Sequence, residues 1–202
     1  MNRAVRLAAA VVLGFAVVTG VRGADTYKID PMHTHIGFSV AHMVINEVEG
    51  KFKEFEGTIV VNPDAKNALV SINGTIQATS IDTGVEKRDN HLRSADFFDV
   101  AKFPTITFES KKAAHKGPRD IVGGTFTMHG VAKDIVIPVT VKGPIKDPMG
   151  NTRIGLKATI TVNRKDYGLT WNKALEAGGL MVGEDVEIEI NAEAVKEVPA
   201  AK

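Results

Sequence analysis

The chain has no cysteine among its 202 residues. Disulfide bonds, thiolate nucleophiles and cysteine-based metal sites are therefore excluded, while the redox compartment stays open. The 25 basic and 24 acidic residues nearly cancel, so charge gives no reason to expect nucleic acid as a partner. Aromatic residues make up only 6% of the chain and include a single tryptophan. Glycine, valine, isoleucine and threonine are plentiful instead, which is typical of strands and tight turns.

The N-terminus has the pattern of a secretory signal. Arg3 and Arg6 precede an apolar run of about twelve residues, Leu7–Val18, and a bilayer-spanning helix needs roughly twenty. We predict a signal peptide over residues 1–23 and a mature protein that begins near residue 24. The predicted location is the periplasm, with no stable membrane insertion after cleavage.

Most of the remaining chain alternates apolar and polar residues, as half-buried strands do. The clearest case is Ile154, Leu156, Ala158, Ile160 and Val162. Eight or nine such segments follow one another through short turns, which favours an antiparallel sheet that closes to hide its edges. We predict an all-β fold: a single antiparallel eight-stranded β-barrel with a short helical insert, in one domain over residues 24–198.

Three local features refine this prediction. Pro138 lies within a strand pattern, and because proline lacks an N–H donor it indicates an edge position or a bulge. The basic, Gly- and Pro-containing stretch Lys111–Arg119 is interpreted as a loop. Residues 79–104 break the alternation, and residues 85–94 are predicted to form the helical insert.

Two side-chain pairings are expected to stabilise this helix. Thr83 and Glu86 have the spacing of a capping box, in which each side chain bonds the other residue's backbone N–H. Asp89 and Arg93 stand four residues apart in the favourable order for a helical ion pair. Phe97 and Phe98 follow the helix, where a cavity would need a wall or a lid.

The charged cluster of the insert has two interpretations. Arg88, Asp89, His91, Arg93 and Asp96 could bind an anionic head group, since arginine suits phosphate. They could equally form an internal network that fixes the helix over the barrel. We favour the internal network because the charges balance one another.

The case for catalysis rests on histidines. The chain has no nucleophile-elbow, P-loop or dinucleotide-binding motif, and we predict no catalytic residue. His33 and His35 have the i, i+2 spacing that places both rings on one face of a strand, where they could bind Zn²⁺ with His42, His91 or an acid. The alternative is that these histidines bond backbone groups at turns. We predict no metal site, and keep a histidine-based metalloenzyme or hydrolase as the alternative.

The apolar strand positions also leave two interpretations open. They could fill a packed core, as in a stress-response module. They also mix phenylalanine with glycine and alanine, which leaves room for a ligand. The candidate cavity residues are Ile36, Phe38, Ile59, Ile72, Phe97, Phe98, Ile106, Phe108, Phe126, Met128, Leu156, Ile160 and Trp171.

Five motifs resemble those of the YceI-like family. They are YKIDPMHTHIGFSVAHM at Tyr27–Met43, EGKFKEFEGTI at Glu49–Ile59, SIDTGVEKRDNHLRSADFFDVAKFPTITFES at Ser80–Ser110, FTMHGVAKDIVIPV at Phe126–Val139 and NRKDYGL at Asn163–Leu169. The resemblance covers essentially all of the predicted mature chain in the right order. It implies an exported bacterial protein with a lipocalin-like barrel that holds a polyisoprenoid or another lipid-like chain.

The resemblance therefore implies a binding protein for a polyprenyl lipid or an isoprenoid quinone, acting in transport, storage or stress protection. No cofactor is expected beyond that ligand, and a homodimer is left open. Seven polar residues match motif positions and are assigned to the barrel mouth or to a structural network: His33, His42, Arg88, Asp89, His91, Arg93 and Arg164.

Overall fold

The computed structural model describes residues 23–65, 68–116, 119–176 and 178–198. The predicted signal peptide lies outside these residues, apart from position 23. The described part contains eleven strand segments and one α-helix, α1, at Glu86–Arg93. The strands are β1 Asp25–Ile29, β2 His35–His42, β3 Asn46–Phe52, β4 Phe55–Asn62, β5 Ala68–Gln77, β6 Ile81–Asp82, β7 Thr105–Lys116, β8 Arg119–Met128, β9 Val131–Lys146, β10 Thr152–Asn163 and β11 Val182–Lys196.

Eight of these segments form a closed antiparallel ring. The order of hydrogen-bonded neighbours is β1-β4-β5-β7-β8-β9-β10-β11, and β1 also pairs with β11, which closes the barrel. The segments β2, β3 and β6 continue the wall at one end: β2 pairs with β11, β3 with β2, and β6 with β3. The predicted eight-stranded barrel with a short helical insert is confirmed.

Short irregular interruptions divide three of the eight barrel strands into two segments each, which is why eleven segments are counted. A 3₁₀ turn at Pro31–His33 separates β1 from β2, residues 53–54 separate β3 from β4, and a 3₁₀ turn at Ala78–Ser80 separates β5 from β6. Ser80 joins the second and third of these breaks, because its hydroxyl accepts the backbone N–H groups of Lys53 and Glu54 at 3.1 and 3.0 Å. The wall therefore bends at these points without losing its hydrogen bonds.

The barrel interior holds two apolar clusters, one toward each end. The first, around Tyr27, Val61, Val122 and Ile154, lies toward the end where the chain enters β1 and leaves β11. The second, around Phe52, Ile81, Phe97, Phe126 and Tyr167, lies at the end that carries α1. We call this second end the helix end. Each inward face follows from the two-residue period of the strands.

Two sequence interpretations are decided by the strand pairing. The stretch 111–119 is not a loop throughout: β7 extends to Lys116 and β8 begins at Arg119, so strands occupy most of it. Alternation is weak there, because much of this hairpin is exposed on both faces. Pro138 pairs with Ile121 of β8, whereas β9 pairs with β10 only from Val139 onward. The proline thus lies where one side of β9 has no ladder partner, as an edge position requires.

The helix was predicted to within one residue at each end, but both proposed pairings are wrong. Val85 is the N-cap residue and makes no side-chain capping bond, so the capping box is not formed. Asp89 accepts hydrogen bonds from Thr83, whereas Arg93 donates to the carbonyls of Thr79 and Ile81. Within the described residues, no helix combines the length and apolar character needed to cross a membrane.

Candidate functional site

A cavity of about 190 Å³ lies inside the barrel and presents only apolar atoms to its interior. It reaches from Ile29 and Ala192 to Leu92 and Phe97, so it extends from the region of the first apolar cluster to the helix end. The strands supply most of its wall. Twelve of the thirteen candidate cavity residues line it: Ile36, Phe38, Ile59, Ile72, Phe97, Phe98, Ile106, Phe108, Phe126, Met128, Leu156 and Ile160.

Trp171 is the thirteenth candidate, and it does not line the cavity. Its ring packs behind Phe97, with the ring centroids 5.2 Å apart. His91 meets both rings edge-on, at 4.9 Å from Trp171 and 5.1 Å from Phe97. The tryptophan therefore supports a cavity residue from outside. Trp171 lies in a glycine-rich irregular segment, where no strand or helix periodicity indicates which way a side chain points. The sequence therefore could not show that it lies outside the cavity.

Sequence reasoning missed part of the lining. Leu92 reaches the cavity from α1, where the surrounding residues are charged. Val186, Ile188 and Ile190 of β11 also line it, and the alternation of the last strand was sufficient to identify them. Ala158 and Ala192 line it as well, and their small side chains leave its axis open.

Two glycines let large rings lie flat against the wall. A Cβ atom at Gly50 would lie 2.4 Å from Cζ of Phe38, which is far inside contact distance. A Cβ atom at Gly124 would lie 2.6 Å from Cζ of Phe108. Gly50 is opposite Phe38 in the sheet, and Gly124 is two residues from the partner of Phe108. Each ring therefore lies over its glycine instead of extending across the barrel axis. The space left along the axis is the cavity.

The segment after α1 closes the cavity at the helix end. The N–H of Phe98 donates to the carbonyl of Leu92 at 3.0 Å, which turns the chain back over the barrel. Phe97 is buried, and Phe98 meets the ring of Phe52 edge-on at 6.0 Å. Phe52 in turn lies 5.8 Å from Phe38. Both aromatics of the insert are therefore part of the cavity wall.

The polar residues of the insert bond mainly to their own segment. Asp89 is buried, and its Oδ1 accepts the backbone N–H of Thr83 at 2.9 Å as well as the Thr83 hydroxyl. Arg88 donates from Nε to the same hydroxyl and from Nη2 to the Thr83 carbonyl, at 2.7 and 2.8 Å. His91 pairs with Asp96 at 2.9 Å. These bonds fix α1 over the barrel, as an internal network does.

Arg164 is the buried charged residue of the cavity lining. Its guanidinium donates to the carbonyls of Gly183, Leu169 and Val182, the first at 2.7 Å. Burial lowers the pKa of this guanidinium from its usual value. The carbonyl bonds tie the irregular segment after β10 to the start of β11, which is a structural task.

The histidines do not assemble as the metal hypothesis requires. His33 lies in the 3₁₀ turn before β2 rather than in a strand with His35, and it bonds Asp30 at 2.8 Å. Asp30, His33 and Glu193 do lie close enough together to hold an ion. However, Nη1 of Arg153 already contacts Asp30 at 2.7 Å and Glu193 at 2.8 Å. This cluster therefore already contains a cation.

Arg153 organises a network that sequence reasoning did not find. Its Nε also contacts Asp147 at 2.7 Å, so that one guanidinium joins the turn after β1, the turn before β10 and strand β11. The hydrogen bonds from Arg153 hold the pKa values of Asp30 and Asp147 at about 2. The remaining candidate, His42, lies at the end of β2 opposite Asn46.

A family model described as the YceI-like domain matches residues 27–194. A UPF0312 protein of Staphylococcus aureus (strain N315) is 36% identical over 169 residues, which cover 83% of this chain and 95% of that protein. The crystal structure of the Campylobacter jejuni YCEI protein has a TM-score of 0.66 and 29% identity, covering 78% of this chain and 90% of that one.

A third similarity concerns the fold alone, because the sequence identity is only 17%. It is to a polyisoprenoid binding domain from Saccharophagus degradans implicated in plant cell wall breakdown, with a TM-score of 0.63. The match covers 85% of this chain and 98% of that domain. The family match extends over nearly the whole barrel, from β1 to β11. The chain belongs to the YceI-like domain family.

Proposed function

We propose that this protein binds a linear isoprenoid or a similar long-chain lipid inside its barrel. The observation that carries the proposal is the interior cavity, whose surface is entirely apolar. Such a surface offers no hydrogen bond to a polar ligand, so a polar molecule would lose its hydration without compensation. A hydrocarbon chain has no such penalty, and each buried CH₂ contributes roughly 0.8 kcal/mol.

The size of the cavity agrees with a chain-like ligand. An apolar cavity of about 150 Å³ holds one benzene molecule in another protein, and this cavity has about 190 Å³. One or two isoprene units fit without any movement of the wall. A longer chain fits if aromatic side chains at the helix end move aside, or if its polar end protrudes from the barrel. The similarity in fold to a polyisoprenoid binding domain supports the same ligand class.

The proposed role requires no chemistry on the ligand. Among the described residues, two titratable ones line the cavity: Arg164, whose guanidinium donates to three carbonyls, and Glu56, which is exposed on β4. A guanidinium that donates to carbonyls is neither a base nor a nucleophile, and the exposed Glu56 is accessible to water. We therefore propose a binding protein. A filled-core module is disfavoured because the cavity volume exceeds that of a few waters.

We further propose that the protein acts outside the cytoplasm, where it carries or stores its lipid in an aqueous space. The basic residues and short apolar run at positions 3–18 support export. A lipid that crosses water needs an enclosed apolar site. The family resemblance adds isoprenoid quinones to the polyprenyl lipids as ligands to be tested.

Native mass spectrometry of the protein purified without detergent tests the proposal. We expect added mass that disappears after organic-solvent extraction, and the extract is then identified by its fragment masses. The extracted protein is next titrated with farnesol, solanesol and ubiquinone, and we expect each bound ligand to raise the melting temperature. A protein that carries no added mass and is stabilised by none of these compounds would overturn the proposal.

A further inference from the structure

The hairpin between β2 and β3 has an unusual turn. Its central residues, Met43 and Val44, have φ values of 54° and 66°, and the N–H of Ile45 donates to the carbonyl of His42 at 3.3 Å. Two consecutive positive φ angles define a type I′ turn, which strongly favours Asn-Gly because large or β-branched side chains are strained there. Methionine and valine are therefore poor choices for the turn itself.

The same turn is also unusually exposed. Val44 is 77% exposed and Ile45 is 84% exposed, although both side chains are apolar. Leu180 adds to this surface from the segment before β11, where Met181 accepts the N–H of Met43 at 2.8 Å. We call Met43, Val44, Ile45 and Leu180 the apolar tip. Single exposed apolar residues are common, but a contiguous group indicates an interaction site.

The apolar tip lies directly beyond the cavity wall. Val40 and Val182 both line the cavity, and Val182 is opposite His42 in the β2–β11 ladder. His42 immediately precedes Met43 in the turn. The tip is thus separated from the cavity lining by two residues along β2 and by one residue between Leu180 and Val182. It projects from the helix end of the barrel, whereas the exposed Met149 lies in the turn at the opposite end.

The shape and charge of the tip indicate which partner fits it. A two-residue turn is convex and carries its side chains outward, so it suits a fluid apolar phase better than a flat protein face. The exposed charged residues next to the tip are Glu47 on β3, and Lys173 and Glu176 on the neighbouring segment, so their sum is acidic and provides no attraction toward an anionic partner. Apolar side chains at a convex point bind a bilayer by burial of area, with little dependence on salt.

We propose that the apolar tip docks reversibly into the surface of a lipid bilayer. Docking places the helix end of the barrel against the membrane, where an apolar ligand can pass between bilayer and cavity without crossing water. This inference rests on the proposed function for its purpose, although the docking itself is measured separately. The strained turn is then explained, because Met43 and Val44 serve the membrane contact rather than the stability of the hairpin.

Vesicle flotation of the full mature protein tests the docking. The vesicles contain phosphatidylcholine and phosphatidylethanolamine, and we expect the same fraction of protein to float at 0.1 and 0.5 M NaCl. The test variant carries Met43→Asn and Val44→Gly, which suit a type I′ turn. We expect its melting temperature to equal or exceed that of the original protein while vesicle binding falls at least tenfold. Met149→Asn is the matched control and should float like the original protein.

The outcomes separate this inference from the proposed function. If the protein carries extractable lipid but neither it nor the variant floats with vesicles, the docking is wrong and the lipid site stands. If the protein floats but carries no lipid, only the proposed function fails. Unchanged flotation of the Asn-Gly variant overturns the docking. The docking is also overturned if the Asn-Gly variant loses self-association in sedimentation velocity but still binds vesicles, since the tip would then contact a second copy of the chain.

Discussion

The carboxylate of Asp89 is held by Thr83, which donates both its backbone N–H and its hydroxyl to Oδ1. Asp89 is 6% exposed, and the bond joins the middle of α1 to the segment that leads out of β6. Arg88 donates to the same hydroxyl from the other side. Thr83 therefore links the buried carboxylate of Asp89 to the guanidinium of Arg88, and these bonds fix the helix over the cavity.

Replacement of Asp89 should measure the strength of this link. Asp89→Ala leaves two donors of Thr83 without their acceptor, and bonds to charged groups contribute about 1.5–3 kcal/mol each. Because Thr83 is half-buried and water can replace part of these bonds, we expect the free energy of unfolding to fall by about 2–4 kcal/mol, measured by urea denaturation. Asp89→Asn keeps an acceptor oxygen in place and should lose roughly half as much.

Asp96→Asn is the matched control for Asp89, because Asp96 is an exposed acid on the same segment and pairs with the half-buried His91. We expect a change below about 0.5 kcal/mol, as is usual for surface pairs. A loss for Asp89→Ala as small as that of the control would show that the Thr83 link does not stabilise the helix.

Replacement of Arg153 should change how stability depends on pH. The carboxyls of Asp30 and Asp147 have pKa values of about 2 in the folded protein, against about 3.9 in an unfolded chain. A lowered pKa contributes stability that is complete above about pH 4 and is lost as the pH falls toward 2. Arg153→Met removes this contribution and leaves three carboxylates close together. We expect its melting temperature to fall by roughly 4 °C or more at pH 7.

The difference between Arg153→Met and the original protein should shrink steadily as the pH is lowered from 4 to 2, when followed by circular dichroism. Arg153→Lys is the control, since an ammonium keeps the charge but cannot reproduce the planar fork. It should restore only part of the stability at pH 7. A difference that is constant across this pH range would mean that packing of the arginine stem, and not its ion pairs, stabilises this end of the barrel.

The fold could be predicted because the strands repeat one simple pattern. The alternation from Ile154 to Val162 sets the inward face of β10 without help from tertiary structure, and the same holds for β11. Closure into an eight-stranded barrel follows from the number of strands and their short connections. Most of the cavity wall was accessible for the same reason, since inward-facing strand residues are what line a barrel.

The missing parts depend on contacts between distant positions. Arg153 meets Asp30, which is 123 residues earlier, and no local spacing indicates that pairing. The expected pair between Asp89 and Arg93 satisfied the helical rule, but Thr83 and the carbonyls of Thr79 and Ile81 offered each side chain a better-placed partner. The local rule fails here because both side chains bond to the segment before the helix instead of to each other.

The metal hypothesis makes a separate prediction. The cluster of Asp30, His33 and Glu193 already contains the guanidinium of Arg153. We expect protein purified without chelators to contain far less than one metal ion per chain, as measured by inductively coupled plasma mass spectrometry. Added Zn²⁺ should not raise the melting temperature. Stoichiometric metal that stabilises the fold would revive the metalloenzyme alternative and would require Arg153 to move.

The cavity itself can be filled to test whether it holds the lipid. Ala158 lines the cavity and is buried, so in Ala158→Phe the new ring occupies the space along the axis. We expect the amount of extractable lipid per chain to fall at least tenfold. Because the ring enters existing space, the free energy of unfolding should fall by at most about 1–3 kcal/mol, the usual range for an overpacked core.

Ala132→Phe is the matched control, since Ala132 is exposed on β9 and a phenylalanine suits a strand surface. It makes the same chemical change on the outside of the barrel and should leave the lipid load unchanged. If Ala158→Phe folds and keeps its full load, the lipid binds elsewhere, and a site on the outer surface must replace the cavity. If both variants lose the load, the effect comes from the barrel as a whole rather than from its interior. Only a loss confined to Ala158→Phe identifies the axis of the barrel as the place where the chain lies.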